Sequence, residues 1–556
     1  MKRSVTLAAA AGLAIALPSA ARADDIRAAV AADMPGLLSI YRDFHQNPEL
    51  AFQEVRSAGI MAEAARKAGF TVTEKVGRTG VVAVLRNGAG PTAMIRADMD
   101  ALPVVEQTGL PFASKARGQA AGGETGIMHA CGHDTHMTAW IAVARLMAAR
   151  KAEWSGTLVM IGQPAEETGQ GAKAMLDDGL FSRFPKPDYA LAFHDMAAVP
   201  AGVITYASGP AMANVDSVDI EVKGVGGHGA APHTTKDPIV LASAIVMRLQ
   251  TLVSRENNPV EPAVVTVGSF HAGSRYNIIS DSAKLQLTVR SFTDEQRERL
   301  RTGIERVARG EAISSGLPDN LMPVIAFGVE HTPSLINEPG FTAEVMEPLK
   351  VRFGADRVTI APPIMPGEDF ARYRRSDPTN IQSVMFWVGG ERPEVMAKAE
   401  KEGTTLPSLH SPFWAPDAEK VIGTAAEALT AAAMRLMPPK GQGARNVNGR
   451  RNALSFALRR PWLLPRRPRK RGYSVLTYVP SRWCSALIRA SSSRSSVTRA
   501  WLASAARSRR KSAVENSARA RLGPVGALRS SVMVVISLSP VMPRRTGSWC
   551  CASRPP

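Results

Sequence analysis

Cysteine is nearly missing from the first 439 residues of this 556-residue chain: Cys131 stands alone there, and Cys484, Cys550 and Cys551 all lie near the C-terminal end. A lone thiol excludes a disulfide framework for the main body and leaves metal binding or plain burial as its uses. Long apolar runs are scarce too. Past residue 25 no segment holds the ~18 uninterrupted apolar residues that a membrane span requires. Acids are missing from the end of the chain, where residues 440–556 carry 25 Lys and Arg against Glu515 alone. The formal charge of +19 therefore belongs to that tail, and the preceding residues are mildly acidic, with 43 basic against 48 acidic side chains. Basicity gives no reason to expect nucleic-acid binding in the main body.

The two ends read as separate from the fold. Lys2 and Arg3 precede a short apolar stretch at 5–17 and an Ala21-Arg22-Ala23 cleavage pattern. These predict a signal peptide over 1–23 and export to the periplasm or medium. Residues 440–556 combine the basic run 466–471 with Ser/Arg low complexity at 491–496 and scattered Trp and Cys. Such unpatterned composition suits a disordered or polyanion-binding tail, or frameshifted sequence translated past the true stop, which is the preferred reading.

Between them, helix and strand patterns alternate. Helices are expected over 26–44 and 54–68, and strands over 71–76, 81–85, 92–96, 157–163, 189–193 and 203–206. This alternation predicts an α/β fold with a mainly parallel central sheet flanked by helices, and ligands gathered at the carboxyl ends of its strands. Over 214–327 the order becomes β-α-β-β-α-β, which predicts an inserted ferredoxin-like α+β unit. The catalytic domain would then comprise 26–213 and 328–437, ending on a helix over 416–437.

The chemistry concentrates at residues 128–136, Met-His-Ala-Cys-Gly-His-Asp-Thr-His. Cys131 and His133, two apart with Gly132 between, suit a divalent metal, although a buried Cys among hydrogen-bonded histidines would read the same way. Glu166-Glu167 sits at a strand end, where one carboxylate can coordinate and its neighbour can take a proton. His194 follows another strand, and His410 lies on a late loop. Five such donors are too many for one tetrahedral ion and suit two ions sharing a bridge.

Seven motifs in order carry a resemblance. They are residues 45–50 (HQNPEL, with Glu54), 96–103 (RADMDALP), 128–136, 163–167 (QPAEE), 226–233 (GGHGAAPH), 367–370 (GEDF) and 409–412 (LHSP). Together they resemble the M20 metallopeptidase family, and most of all its amidohydrolase branch of hippurate hydrolases and N-acyl amino acid amidohydrolases. The resemblance spans about 26–437. It implies that Cys131 is shared by two metal ions, with His133 and His194 on one and Glu167 and His410 on the other. A thiolate bridge favours Mn²⁺, Zn²⁺ or Co²⁺ over harder cations. Glu166 would be the general base for a metal-bound water that attacks the amide of an N-acyl amino acid or small peptide.

The resemblance also implies that His228, on the inserted unit, donates to the oxyanion across a homodimer interface. His233 is the alternative for that role. Asn277 and Arg290 would hold the substrate's carbonyl and carboxylate, an Arg fork suiting the latter. Asp100 is expected to orient a ligand histidine through its carboxylate, or else to cap a turn. Asp98, Glu368 and His45 receive no role. A dipeptidase on the same site and a non-catalytic binding protein are the other readings, and the spare carboxylate of Glu166 argues against the second.

Overall fold

The structure is a computed structural model that describes residues 19–440 except Ala121. The signal-peptide pattern at 1–23 falls almost wholly outside the described residues, and the basic tail from 441 onward falls entirely outside them. A helix over Ser19–Gln46 opens the described chain and packs its Val30, Leu37, Tyr41 and Phe44 face into the main core.

The central sheet has eight strands in the spatial order Thr71–Val76, Gly80–Asn87, Gly156–Gln163, Thr92–Asp98, Tyr189–Pro200, Gln382–Glu391, Ile204–Tyr206, Val358–Ile360. The four innermost run parallel. They read as near-continuous apolar runs because both faces are covered; every residue of Gly156–Gln163 is buried. The outer strands depart from the parallel expectation. The first two form an antiparallel hairpin closed by a turn of three residues, which only antiparallel neighbours can share.

One face of the sheet is covered by the helices Ser19–Gln46, Val55–Lys67, His133–Ala149 and Ala418–Leu436. The His133–Ala149 helix is buried almost all round, as expected of a helix in the middle of a layer. Its start needs glycine. Gly132 has φ +81°, and a Cβ there would collide with the Asp195 carboxylate.

A second sheet, antiparallel throughout, orders Val264–Ala272, Ser282–Ser291, Asn214–Lys223 and Val324–Phe327. The helices Pro238–Thr251 and Asp294–Ser314 pack on it. Ile245 and Leu249 of the first helix and Ile304 of the second close a core over Ile220 and Leu285 of the strands. Asp237 and Thr293 cap these helices, accepting from Ile239 N and Gln296 N. Among the described residues, Pro238–Glu256 alone is long and apolar enough to cross a membrane, which its interspersed polar residues conceal from a reading of uninterrupted runs. Part of its apolar surface is the core of this second sheet.

Asn214 marks the point where the chain enters the second sheet. Its buried amide donates to Ser291 Oγ (3.1 Å) and to the Thr293 carbonyl (3.3 Å), and its carbonyl oxygen accepts from Ser334 N (2.7 Å). One side chain thus ties the strand that enters the insertion to the segment that leaves it.

Candidate metal centre

The C-terminal ends of the inner parallel strands deliver the polar residues. Thr92–Asp98 leads into Asp100, and Gly156–Gln163 leads into Glu166 and Glu167. His194 differs from expectation: it lies within its strand, which runs on to Pro200 because Gln382–Glu391 pairs alongside it past Asp195.

The Glu166-Glu167 turn is held in an uncommon shape. Ala165 has φ +51°, and Glu54 Oε1 accepts its amide at 2.9 Å. Asp100 then accepts from the Glu166 amide (2.9 Å) and the Glu167 amide (3.0 Å). Asp100 does orient a ligand candidate, but by a different atom from the one expected. Its main-chain carbonyl accepts from His133 Nδ1 at 2.7 Å, since its carboxylate is already engaged by the two amides.

The five donors come together in two groups that share one thiol, Cys131 with His133 and His194, and Cys131 with Glu167 and His410. Within each group the ligand atoms lie within 4.8 Å of one another. His194 Nε2 is 3.5 Å and His410 Nε2 3.2 Å from Cys131 Sγ. His410 has φ +67°, a left-handed backbone that a non-glycine residue adopts at a cost, of order 1–3 kcal/mol, which the surroundings must offset. Its amide donates to the Ala130 carbonyl, and Gln107 N holds Pro412 O, so the loop is tied on both sides.

These donors fit a cation. The main-chain bonds of His133 Nδ1 to Asp100 and of His194 Nδ1 to Asp195 (2.8 Å) leave both Nε2 atoms with a free lone pair. His133 Nε2 and Glu167 Oε1 are buried with no hydrogen-bond partner. Burial and the Glu167 charge push the Cys131 thiol well above its ordinary pKa. Burial also raises Glu167 to about 7. Divalent ions would reverse both, since they bind the deprotonated forms.

Glu166 stands beside the groups without joining the thiol. Its pKa is raised well above the usual carboxylate range by burial and by the nearby charges of Glu368, Glu167 and Asp369. No hydrogen bond to its carboxylate occurs among the described residues, and it lines a cavity of about 840 Å³. Arg290 reaches the same cavity from the inserted sheet, and no hydrogen bond or ion pair to its guanidinium occurs among the described residues. His228, His233 and Asn277 do not reach it. All three are exposed, and His228 and Asn277 lie together where the short strands Gly227–His228 and Ile278–Ile279 pair. Within one chain the expected oxyanion donor is therefore away from the donors.

Several buried polar residues escaped the sequence reading. Arg96 is fully buried and donates to Asp98 (2.6 Å), Glu368 (2.8 Å) and Gln163 (3.0 Å), with Asp369 at 3.3 Å. Asp98 also accepts from His136 Nδ1 at 2.5 Å and sits 3.6 Å from His133 Nε2. Asp98 and Glu368, set aside as loop residues, are thus the anionic bed behind the thiol site. His45 lies between Asp134 (2.7 Å) and Glu106 (3.0 Å), which raise its pKa to about 9 against the opposing effect of burial. The signal for these residues was present only as charge inside otherwise apolar strand and helix patterns.

Comparison with known proteins agrees with this geometry. Residues 94–411 match the peptidase family M20/M25/M40. The chain is 35% identical to thermostable carboxypeptidase 2 of Saccharolobus solfataricus, covering 71% of this chain and 94% of that protein. It is 41% identical to the hippurate hydrolase of Campylobacter jejuni over 49% of this chain and 69% of that one. The crystal structure of the Bacillus subtilis YxeP protein, a dinuclear metal-binding peptidase of family M20, superposes with a TM-score of 0.58 at 30% identity, covering 73% of this chain and 99% of that one. Fold, donor set and relatives together make this chain a metal-dependent hydrolase of amide bonds and a member of the peptidase family M20/M25/M40.

Proposed function

We propose that the protein hydrolyses the amide bond of N-acyl amino acids, with Cys131, His133, Glu167, His194 and His410 holding two ions of Mn²⁺, Zn²⁺ or Co²⁺. The observation that carries this reading is a free guanidinium, Arg290, in the same cavity as a free carboxylate, Glu166, and the paired donor groups. Bound divalent ions would supply a Lewis acid and acidify water at neutral pH. Glu166 takes the proton from the attacking water and returns it to the leaving nitrogen. Asp100 fixes the direction of Glu166 through the main chain. Arg290 receives the carboxylate of the amino acid, which sets the amide between the two ends of the cavity.

The test is hydrolysis of hippurate, other N-acyl amino acids and dipeptides by the purified protein with each metal added. Cleavage of dipeptides alone would replace this reading with a peptidase. Arg290→Met is expected to raise KM for carboxylate-bearing substrates roughly 10–100-fold, a charged hydrogen bond being worth about 1.5–3 kcal/mol. An unchanged KM would remove Arg290 from the carboxylate site.

The homodimer belongs to this proposal as well. Support comes from the exposed edge strand Val264–Ala272, where Phe270 is uncovered, and from the exposed Tyr276 and Ile278 beside Asn277 and His228. A second chain on this face would cover the edge and bring a histidine toward its partner. Sedimentation should give twice the chain mass, and a monomer that retains full activity would exclude any role for His228 in trans.

A further inference from the structure

The catalytic cavity does not end at its apolar wall. A second cavity of about 600 Å³ shares Ala198 and Leu406 with it. Both shared residues lie on segments that start at metal-ligand candidates. On the Tyr189–Pro200 strand, residues 194–198 line the first cavity, and Ala198 and Pro200 line the second. Six residues of strand cover roughly 20 Å. On the late loop, three residues separate Leu406 from His410. The helix Pro393–Glu402 contributes Pro393 and Met396 to the second cavity. Glu400 is the one ionisable residue among the described residues that line it. Arg290 contributes to the first cavity and not to the second.

From this continuity we infer that the acyl half of the substrate is a long aliphatic chain, which passes between Ala198 and Leu406 into the groove beside the Pro393–Glu402 helix. The inference rests on the amidohydrolase reading above and specifies its substrate class. A short acyl group would leave the outer groove filled with water. An extended alkyl chain would displace that water from apolar walls, and its binding would strengthen with every methylene buried. Water is consumed across the amide, so the products are a fatty acid and an amino acid.

The fatty acid product provides a test that needs no turnover. Hexanoate, octanoate, decanoate and laurate would be titrated by calorimetry into the metal-loaded full chain, beside Ala198→Trp and Met396→Trp. Both variants place a bulky ring in the outer path at partly or fully exposed positions. Affinity is expected to rise roughly fourfold per methylene along the series, with the rise lost in at least one variant. Equal affinities across the series, or a slope untouched by both substitutions, would overturn the channel. N-acetylglycine and N-lauroylglycine hydrolysis, measured in parallel, separates the two ideas. Chain-length-dependent binding without cleavage of either amide would reject the hydrolytic reading and keep the channel. Cleavage of the acetyl substrate with a flat fatty acid series would do the reverse.

Discussion

Glu166→Gln is expected to lower kcat by about 10²–10⁴-fold while two equivalents of metal per chain stay bound. The amide keeps the size of the side chain and removes its ability to take a proton. Metal retention is expected because both thiol-sharing groups keep all their donors, and a further cluster, His133, Glu166 and Glu167, only exchanges one carboxylate oxygen for an amide oxygen. The raised pKa adds a pH signature: the base works only when deprotonated, so kcat should fall as pH drops through that pKa and level off above it. Bound cations would draw the pKa down from its metal-free position, so the acid limb should move with the identity of the metal. A variant that retains even a tenth of the activity would assign the base elsewhere. Joint loss of metal and activity would mean that Glu166 is itself a ligand.

Arg96→Ala should be the most destabilising single change in the catalytic domain. Removal of the guanidinium leaves Asp98, Glu368 and Asp369 buried together with no neutralising charge. Breaking a buried ion pair from one side costs about 3–5 kcal/mol. Glu368 and Asp369 already sit above the ordinary carboxylate range, with Asp369 at about 7, although Arg96 holds both down. Without it they should take up protons more readily, so the variant's loss of stability against the parent should be largest at neutral pH and smaller in mild acid. The melting temperature should fall on the order of 10 °C at neutral pH. Metal affinity should fall as well, because Asp98 also holds His136 and lies next to His133. An unchanged melting temperature would show that the cluster relaxes by admitting water.

The donors were legible in the sequence because each declares itself locally. Cys131 and His133 share a turn, Glu166-Glu167 follows an apolar run, and the motifs recur in one order. The inner strands and long helices were legible from the period of their apolar residues. What was not legible is long-range pairing. Arg96 and Glu368 are 272 positions apart, and an arginine in a strand pattern reads equally well as a solvated face. His45 had no ligand spacing and gained a partner only when the first helix packed against residues 106 and 134. The short hairpin Arg117–Ala120 with Gly123–Gly126 was missed because glycine and polar residues give it no alternating face. Arg290 and Asn277 looked equivalent on strands of one unit, and only the folded chain shows that Arg290 lines the cavity and Asn277 does not.

Asn214 stands at the base of the inserted unit. The insertion leaves the larger domain at this residue and rejoins it beside the same amide, which bonds inside the insertion to Ser291 and at the returning segment to Ser334. Arg290 rides on the insertion, whereas the donor groups ride on the central sheet. The distance between Arg290 and the donor groups is thus set where the two sheets' chain segments meet at one buried side chain. Substitutions around residue 214 are therefore expected to change that distance without touching either group.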